Sequence, residues 1–114
     1  MKIVETDFLP RSAASCHAST VLPLPGGDVL CAWFAGTREG ADDVQIYLSR
    51  RADGVWSAPE KLSQTPGPNW NPVLFQNAAH EILLYYKTDA PIARWRTMLR
   101  VSADGRAFSP AREL

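Results

Sequence analysis

The strongest constraint on the fold is a phrase that this chain writes twice. "SRRADGVWSAP" spans residues 49–59 and "RVSADGRAFSP" spans residues 100–110. Each runs from a strand-like stretch through an Asp-Gly pair to an aromatic residue, then Ser-x-Pro or Ser-Pro. Asp53-Gly54 precedes Asp104-Gly105 by 51 residues and Trp56 precedes Phe108 by 52. Pro59 and Pro110 are 51 apart, and Leu62 and Leu114 are 52 apart. Upstream, "DVLCAWFAG" (28–36) lies 53 residues before "EILLYYKTD" (81–89). A period of this length marks repetition of one supersecondary unit, which needs its neighbour to bury its apolar face.

Within each unit the pattern reads as short strands. "STVLPL" (19–24), the turn "PGGD" and "VLCAWF" (29–34) form a hairpin signal. "VQIYLS" (44–49) alternates, with Val44, Ile46 and Leu48 on one face. In the second unit "NPVLF" (71–75) turns through "QNAAH" into "ILLYYK" (82–87). "WRTMLRV" (95–101) alternates too, grouping Trp95, Thr97, Leu99 and Val101. A helix competes for this last segment, since Asp89 can cap it, Pro91 suits its first turn, and Ile92, Trp95 and Leu99 share a helical face. The repeat favours strand, because it sets 96–101 against the alternating segment of the first unit.

Strands recurring at this spacing predict four-stranded β-propeller blades. The expected division is a lead-in over 1–14, a first blade over 15–66 and a second over 67–114. Two blades cannot close a ring, and an open array leaves sheet edges and faces unpaired. Further blades C-terminal to residue 114 are therefore expected, and the 114-residue chain alone is expected to be poorly stable or to self-associate, and to be inactive. A small β-sandwich complete in itself is the alternative. Composition narrows the partners. Twelve basic and twelve acidic side chains cancel, so nothing in the charge calls for nucleic acid or an anionic membrane. An apolar fraction of 46% with four tryptophans argues for a packed chain. No stretch approaches the roughly 20 apolar residues of a membrane span, and there is no signal-peptide pattern, which leaves the cytoplasm as the default location. Cys16 and Cys31 lack metal-type spacing and are expected to be free thiols.

These features resemble the sialidase-like (neuraminidase) propellers that carry bacterial-neuraminidase repeats, or Asp-boxes, of the form Ser-x-Asp-x-Gly-x-x-Trp/Phe. Ser102, Asp104, Gly105 and Phe108 match the box with one position missing, and Ser49, Asp53, Gly54 and Trp56 match more loosely. The resemblance implies a six-bladed all-β propeller of which this chain is the N-terminal part, with the boxes structural rather than catalytic. It implies a glycoside hydrolase acting on a carbohydrate that ends in an acidic sugar, without metal or organic cofactor. A non-catalytic propeller that binds glycan or protein is the alternative.

Three stretches are candidates for chemistry. The loop "AGTREGADD" (35–43) carries Arg38, Glu39, Asp42 and Asp43. Its crowded carboxylates repel one another, and any that is partly buried would have a raised pKa, as a glycosidase acid requires. The resemblance places the acid/base at Asp42 or Asp43, with Arg38 and Glu39 beside the substrate; a solvated turn with Arg38 paired to Glu39 or Asp42 is the plain alternative. At "SCHAST" (15–20) the family has Arg-Ile-Pro, whose arginine helps to clamp the substrate carboxylate. Here Cys16, His17 and Ala18 stand instead, so His17 is the candidate contact and sialic-acid hydrolysis itself is in question. At "GPNWNP" (67–72), Asn69, Trp70 and Asn71 combine amides with an indole, a set suited to gripping sugar hydroxyls and stacking on a pyranose. Lys87, with Arg94 and Arg96 nearby in sequence, can add positive charge. All of these should converge at one end of the blades. The resemblance assigns the tyrosine nucleophile, its glutamate partner and the remaining arginines to later blades.

Overall fold

A computed structural model describes residues 2–114. The fold is all-β, two antiparallel four-rung sheets, one per sequence unit. In the first, β1 (Ser15–Pro23), β2 (Val29–Gly36) and β3 (Gln45–Ala52) form a meander. Its fourth rung is split: β4 (Val55–Trp56) and β5 (Glu60–Lys61) both pair with β3. The second sheet repeats the order with β6 (Asn69–Gln76), β7 (Ile82–Thr88), β8 (Arg96–Ser102) and β9 (Arg112–Glu113). The competing helix shrinks to one exposed 3-10 turn, Ile92–Arg94. From Arg96 onward the segment pairs with β7 along seven consecutive rungs, and a ladder of that length outweighs the capping signals.

The two sheets meet through opposite faces. From the first come Leu30, Ala32 and Phe34 of β2 with Val44, Ile46 and Leu48; from the second come Leu74, Ile82, Leu84 and Tyr86. Each fully buried aliphatic side chain here stabilises by roughly 1.5–3 kcal/mol. Under the 53-residue offset of the inner ladders, Leu30, Ala32 and Phe34 correspond to Leu83, Tyr85 and Lys87, which are only half-buried. The second sheet is therefore apolar on both sides. Val73 and Phe75 on the same open side are 53% and 55% exposed. The outer face of the first sheet is covered by the lead-in: Leu9 and Ala13 pack on Cys31, Trp33 and Ala35, and Trp33 Nε1 donates to Ser12 Oγ at 2.8 Å. An Arg51–Glu5 ion pair ties the segment down further.

The two Asp-Gly turns differ. In the first, Asp53 and Gly54 both have positive φ (51° and 78°) and form the two-residue loop between paired Ala52 and Val55. That is the type I′ hairpin geometry, which matches strand twist. Asp53 accepts no backbone bond among the described residues, so its carboxylate does not organise this turn as a box aspartate would. The second turn is a true Asp-box. Asp104 Oδ1 accepts from Arg106 N (2.8 Å) and Ala107 N (3.1 Å), and Ser102 Oγ accepts from Gly105 N at 2.8 Å. These bonds favour the anion and hold the Asp104 carboxyl below the usual range, the Arg106 amide contributing most. Beyond the turns the units coincide again. Ser57 N donates to Arg50 O and Ser109 N to Val101 O, while Arg50 N and Val101 N donate to the Ser57 and Ser109 hydroxyls. Trp56 and Phe108 thus occupy equivalent places, and the second loop is one residue longer.

Two arginines cross between the sheets. Arg50, paired with Asp28 at 2.8 Å, donates to Asp104 O at 2.7 Å. Arg100 reaches the other way to Leu62 O at 2.5 Å, also donates to Ser109 O and Phe108 O, and lies 5.9 Å from the Phe108 ring centroid.

Candidate functional site

The inner strands begin with the same irregularity. Between His17 and Thr20 in β1, and between Trp70 and Val73 in β6, the register slips, and Ala18 and Asn71 take positive φ (50° and 45°). These are bulges at positions 53 apart, and bulges re-aim the side chains around them. Strand register sets their surroundings. Ser15 pairs with Gly36 and Ala35 with Gln45, so the leading end of β1 and the loop 37–43 lie at the same end of the first sheet. Asn69 N donates to Val44 O, and the Trp70 indole lies beside Gly40, bringing the leading end of β6 to the same place.

An aromatic chain lines this end. His17 stacks on Phe34 at 5.3 Å between centroids, Phe34 meets Trp70 edge-on at 5.7 Å, and Trp70 lies 5.6 Å from Trp95. His17 Nε2 is 2.5 Å from Ser15 Oγ. Trp70 donates its indole N–H to Asp89 O at 3.0 Å, and its ring packs on the core between the sheets. Trp95 Nε1, also shielded from solvent, has no partner among the described residues.

The loop splits its two aspartates. Asp43 folds back: Thr37 N donates to Oδ1 at 3.0 Å, and the Thr37 hydroxyl donates to Oδ2. These bonds, the hydroxyl first, with Arg38 adding a smaller attraction, hold its carboxyl below the usual range. The raised value expected for a crowded, partly buried carboxyl is therefore not found at Asp43, because it is exposed and well solvated by donors. Asp42 is exposed and accepts no hydrogen bond among the described residues; Arg38 and Glu39 are exposed as well. The loop depends on Gly36, where a Cβ would sit 2.7 Å from Asp43 Oδ1 and 2.9 Å from Val44 Cα.

Asn69 is placed differently from the sugar-gripping role expected of it. It is fully buried, and Nδ2 donates to Val44 O (3.0 Å), Gln45 Oε1 (3.0 Å) and Thr65 Oγ1 (2.8 Å). With Ser63, which donates to Gln45 Oε1 at 2.7 Å, it forms a polar joint between the sheets. Of the three-residue set only Asn71 is exposed. Lys87 lies on the open face and donates to Thr97 Oγ1 at 2.5 Å, while Arg96 is drawn to Asp89 and Glu113.

Arg11 is the residue that sequence reasoning did not single out. It lines a cleft of about 290 Å³ with His17, between the lead-in and the first bulge. That cleft includes neither aspartate nor Asn71, so the expected single cleft holding His17, an aspartate and Asn71 is not formed by this surface. No motif surrounds Arg11, so only the folded lead-in reveals its position.

Comparison with curated proteins finds no match. The family comparison does: residues 27–114 match the BNR repeat-like domain, and the matched span contains β2 to β9, both Asp-Gly turns and the joint between the sheets. With a repeated four-rung sheet, a repeated inner-strand bulge and one fully formed Asp-box, this chain belongs to the BNR repeat-like domain family.

Proposed function

We propose that these two blades are part of a sialidase-like glycoside hydrolase that acts on a glycan ending in an acidic sugar. The observation that carries the reading is the grouping at one sheet end: the paired bulges at Ala18 and Asn71, and a charged loop whose Asp42 is free of protein partners. In this reading Asp42 approaches the glycosidic oxygen as general acid. Asp43 does a different job, locking the loop through Thr37 so that Asp42 is presented. His17, Asn71 and Lys87 contact the sugar, with Arg38 and Glu39 at the rim. Asn69 and Trp70 support them from behind by fixing the joint and the aromatic chain. The nucleophile and the rest of the carboxylate clamp belong to further blades.

The test uses the complete propeller. Replacing a general acid should spare substrates with an activated leaving group and cripple those with a poor one. Asp42→Asn should therefore lose far more turnover on a natural glycoside than on an aryl glycoside. Asp43→Asn should lower both alike by loosening the loop. Equal losses for Asp42→Asn on the two substrates would remove its acid role. A second reading is a non-catalytic propeller that binds glycan or protein. It prevails if the complete protein binds acidic glycans and hydrolyses none.

A further inference from the structure

The 53-residue offset that relates the blades also relates their faces. Val21, Cys31 and Trp33 lie on the outer face of the first sheet, and their counterparts are Leu74, Leu84 and Tyr86, with which the second sheet packs on the first. The outer face of the first sheet thus repeats a face already used for docking. Its cover is slight. Leu74 is 6% exposed, whereas Val21 is 58% exposed. The lead-in meets this sheet through Leu9, Ala13, the Ser12 hydroxyl and the Glu5 carboxylate. Its largest apolar side chains, Val4 and Phe8, are 86% and 91% exposed, so they add little to the cover. The second sheet supplies the complementary half. Val73, Phe75, Leu83 and Tyr85 on its open face are the counterparts of Thr20, Leu22, Leu30 and Ala32, which face the joint between the blades. The chain therefore carries, on opposite sides, both halves of the interface that joins its own blades.

From this we infer that the outer face of the first sheet is a docking surface for the open second sheet of another copy of this chain, with the lead-in as its displaceable cover. Continuity with the existing interface fixes the occupant. Leu83 and Tyr85 of one copy take the part of Leu30 and Ala32, and Cys31 and Trp33 of the other take the part of Leu84 and Tyr86. The contact joins two different faces, so it is head-to-tail and each copy donates one face and accepts with the other. It is also weaker than the joint within the chain. Val101 stands where Arg50 reaches across, Ser49 where Arg100 does, and Cys16 where Asn69 holds the polar joint. Neither arginine bridge nor that joint is reproduced, which leaves an apolar contact that exchanges with the lead-in. The inference does not rest on the hydrolase reading.

The experiment is sedimentation velocity over a concentration series of the 114-residue chain and its variants. Val21→Lys blocks the accepting face, and Val73→Lys with Phe75→Lys blocks the donating one; all three positions are exposed, so folding is spared. Each blocked variant should stay monomeric where the unaltered chain associates. An equimolar mixture of the two should form a heterodimer, because each supplies the face that the other has lost. Leu9→Ser with Ser12→Ala frees the lead-in and should move association to concentrations about tenfold or more lower. Adding Val73→Lys and Phe75→Lys to that variant should restore the monomer, which separates docking from aggregation of a damaged fold. In the unaltered chain, trypsin cleavage after the exposed Arg11 should quicken as protein concentration rises, since docking displaces the lead-in. A chain monomeric at every concentration, Val21→Lys that associates like the unaltered chain, or a mixture that stays monomeric would each overturn the inference. So would a freed lead-in that leaves association unchanged, or cleavage that does not quicken with concentration.

Discussion

Replacing Arg100 by Met tests what holds the two blades together. Methionine keeps most of the stem's apolar contact and removes the guanidinium, so the loss is electrostatic. Three carbonyls lose a donor: Leu62, Ser109 and Phe108. Those of Ser109 and Phe108 lie near the surface and can turn to water at little cost. Leu62 is a core residue, and its carbonyl accepts the Arg100 guanidinium in a part-buried bond between the two sheets. One charged hydrogen bond lost there costs about 1.5–3 kcal/mol. The guanidinium over Phe108 adds about 0.5–1 kcal/mol at a partly exposed site. The total is roughly 2–4 kcal/mol, which for a domain of this size lowers Tm by about 8–16 °C. Thermal and urea melts measure it. The same substitution should also reduce the urea m-value, because blades joined less firmly begin to unfold separately. A shift under about 2 °C with unchanged m would mean that the apolar interface alone sets the coupling, and the argument would be refuted.

Acid should act through the two clasped aspartates. Both have lowered pKa values, so the folded state binds their protons less readily than the unfolded chain; their stabilisation is present above the ordinary carboxyl range and is lost as pH falls through the depressed folded values. Asp104→Asn should flatten the acid limb of a Tm-against-pH curve, and an unchanged limb would contradict the hydrogen-bond assignment. Gly54→Ala and Gly105→Ala both strain a positive φ, at about 1–2 kcal/mol. The second should cost distinctly more in a urea melt, because its Cβ would meet Leu30 and Arg50 at 3.0 Å whereas Gly54 has nothing nearer than 3.9 Å. Finally, Phe75→Lys with Val73→Lys should shift the isolated chain towards monomer in sedimentation; self-association that persists unchanged would place the sticky surface elsewhere.

Much of the fold was legible because its signals are local and repeated. Alternation marked Val44, Ile46 and Leu48 as one face, and the offsets of Trp56–Phe108 and Leu62–Leu114 survive as matching hydrogen bonds, with Leu62 N donating to Ile46 O and Leu114 N to Thr97 O. The first turn was over-read. "ADGV" supports a type I′ hairpin as well as a box, and the one-residue-shorter loop between Arg50 and Ser57 was the available clue. The site was less legible, because a side chain's role depends on what approaches it from far along the chain. Asn69 reads as a polar loop residue until Val44, Gln45 and Thr65 close around it. Asp43 reads as a crowded acid until Thr37 turns its donors towards it. Neither neighbour is implied by spacing alone.

The Asp-box of the second blade shows how the two ends of the sheets divide their work. Asp104 uses its carboxylate to shape the turn and its own carbonyl to receive Arg50 from the first blade. Arg50 is anchored in turn by Asp28, on the hairpin of that blade. Gly105 leaves the space into which Leu30 and Ile82 close. One short motif thus orders a turn, docks the neighbouring blade and seals the core between them. β3 separates this end from the charged loop: it runs eight residues from Gln45 to Ala52, about 23 Å at the usual strand rise. The loop end carries both bulges, the charged loop and the aromatic chain. Weakening the box should therefore lower stability without changing the shape of the site, whereas Gly36 and Thr37 control the site without contributing to docking. The repeat preserves the docking end closely in both blades and leaves the other end free to differ, as His17 and Trp70 do at equivalent positions.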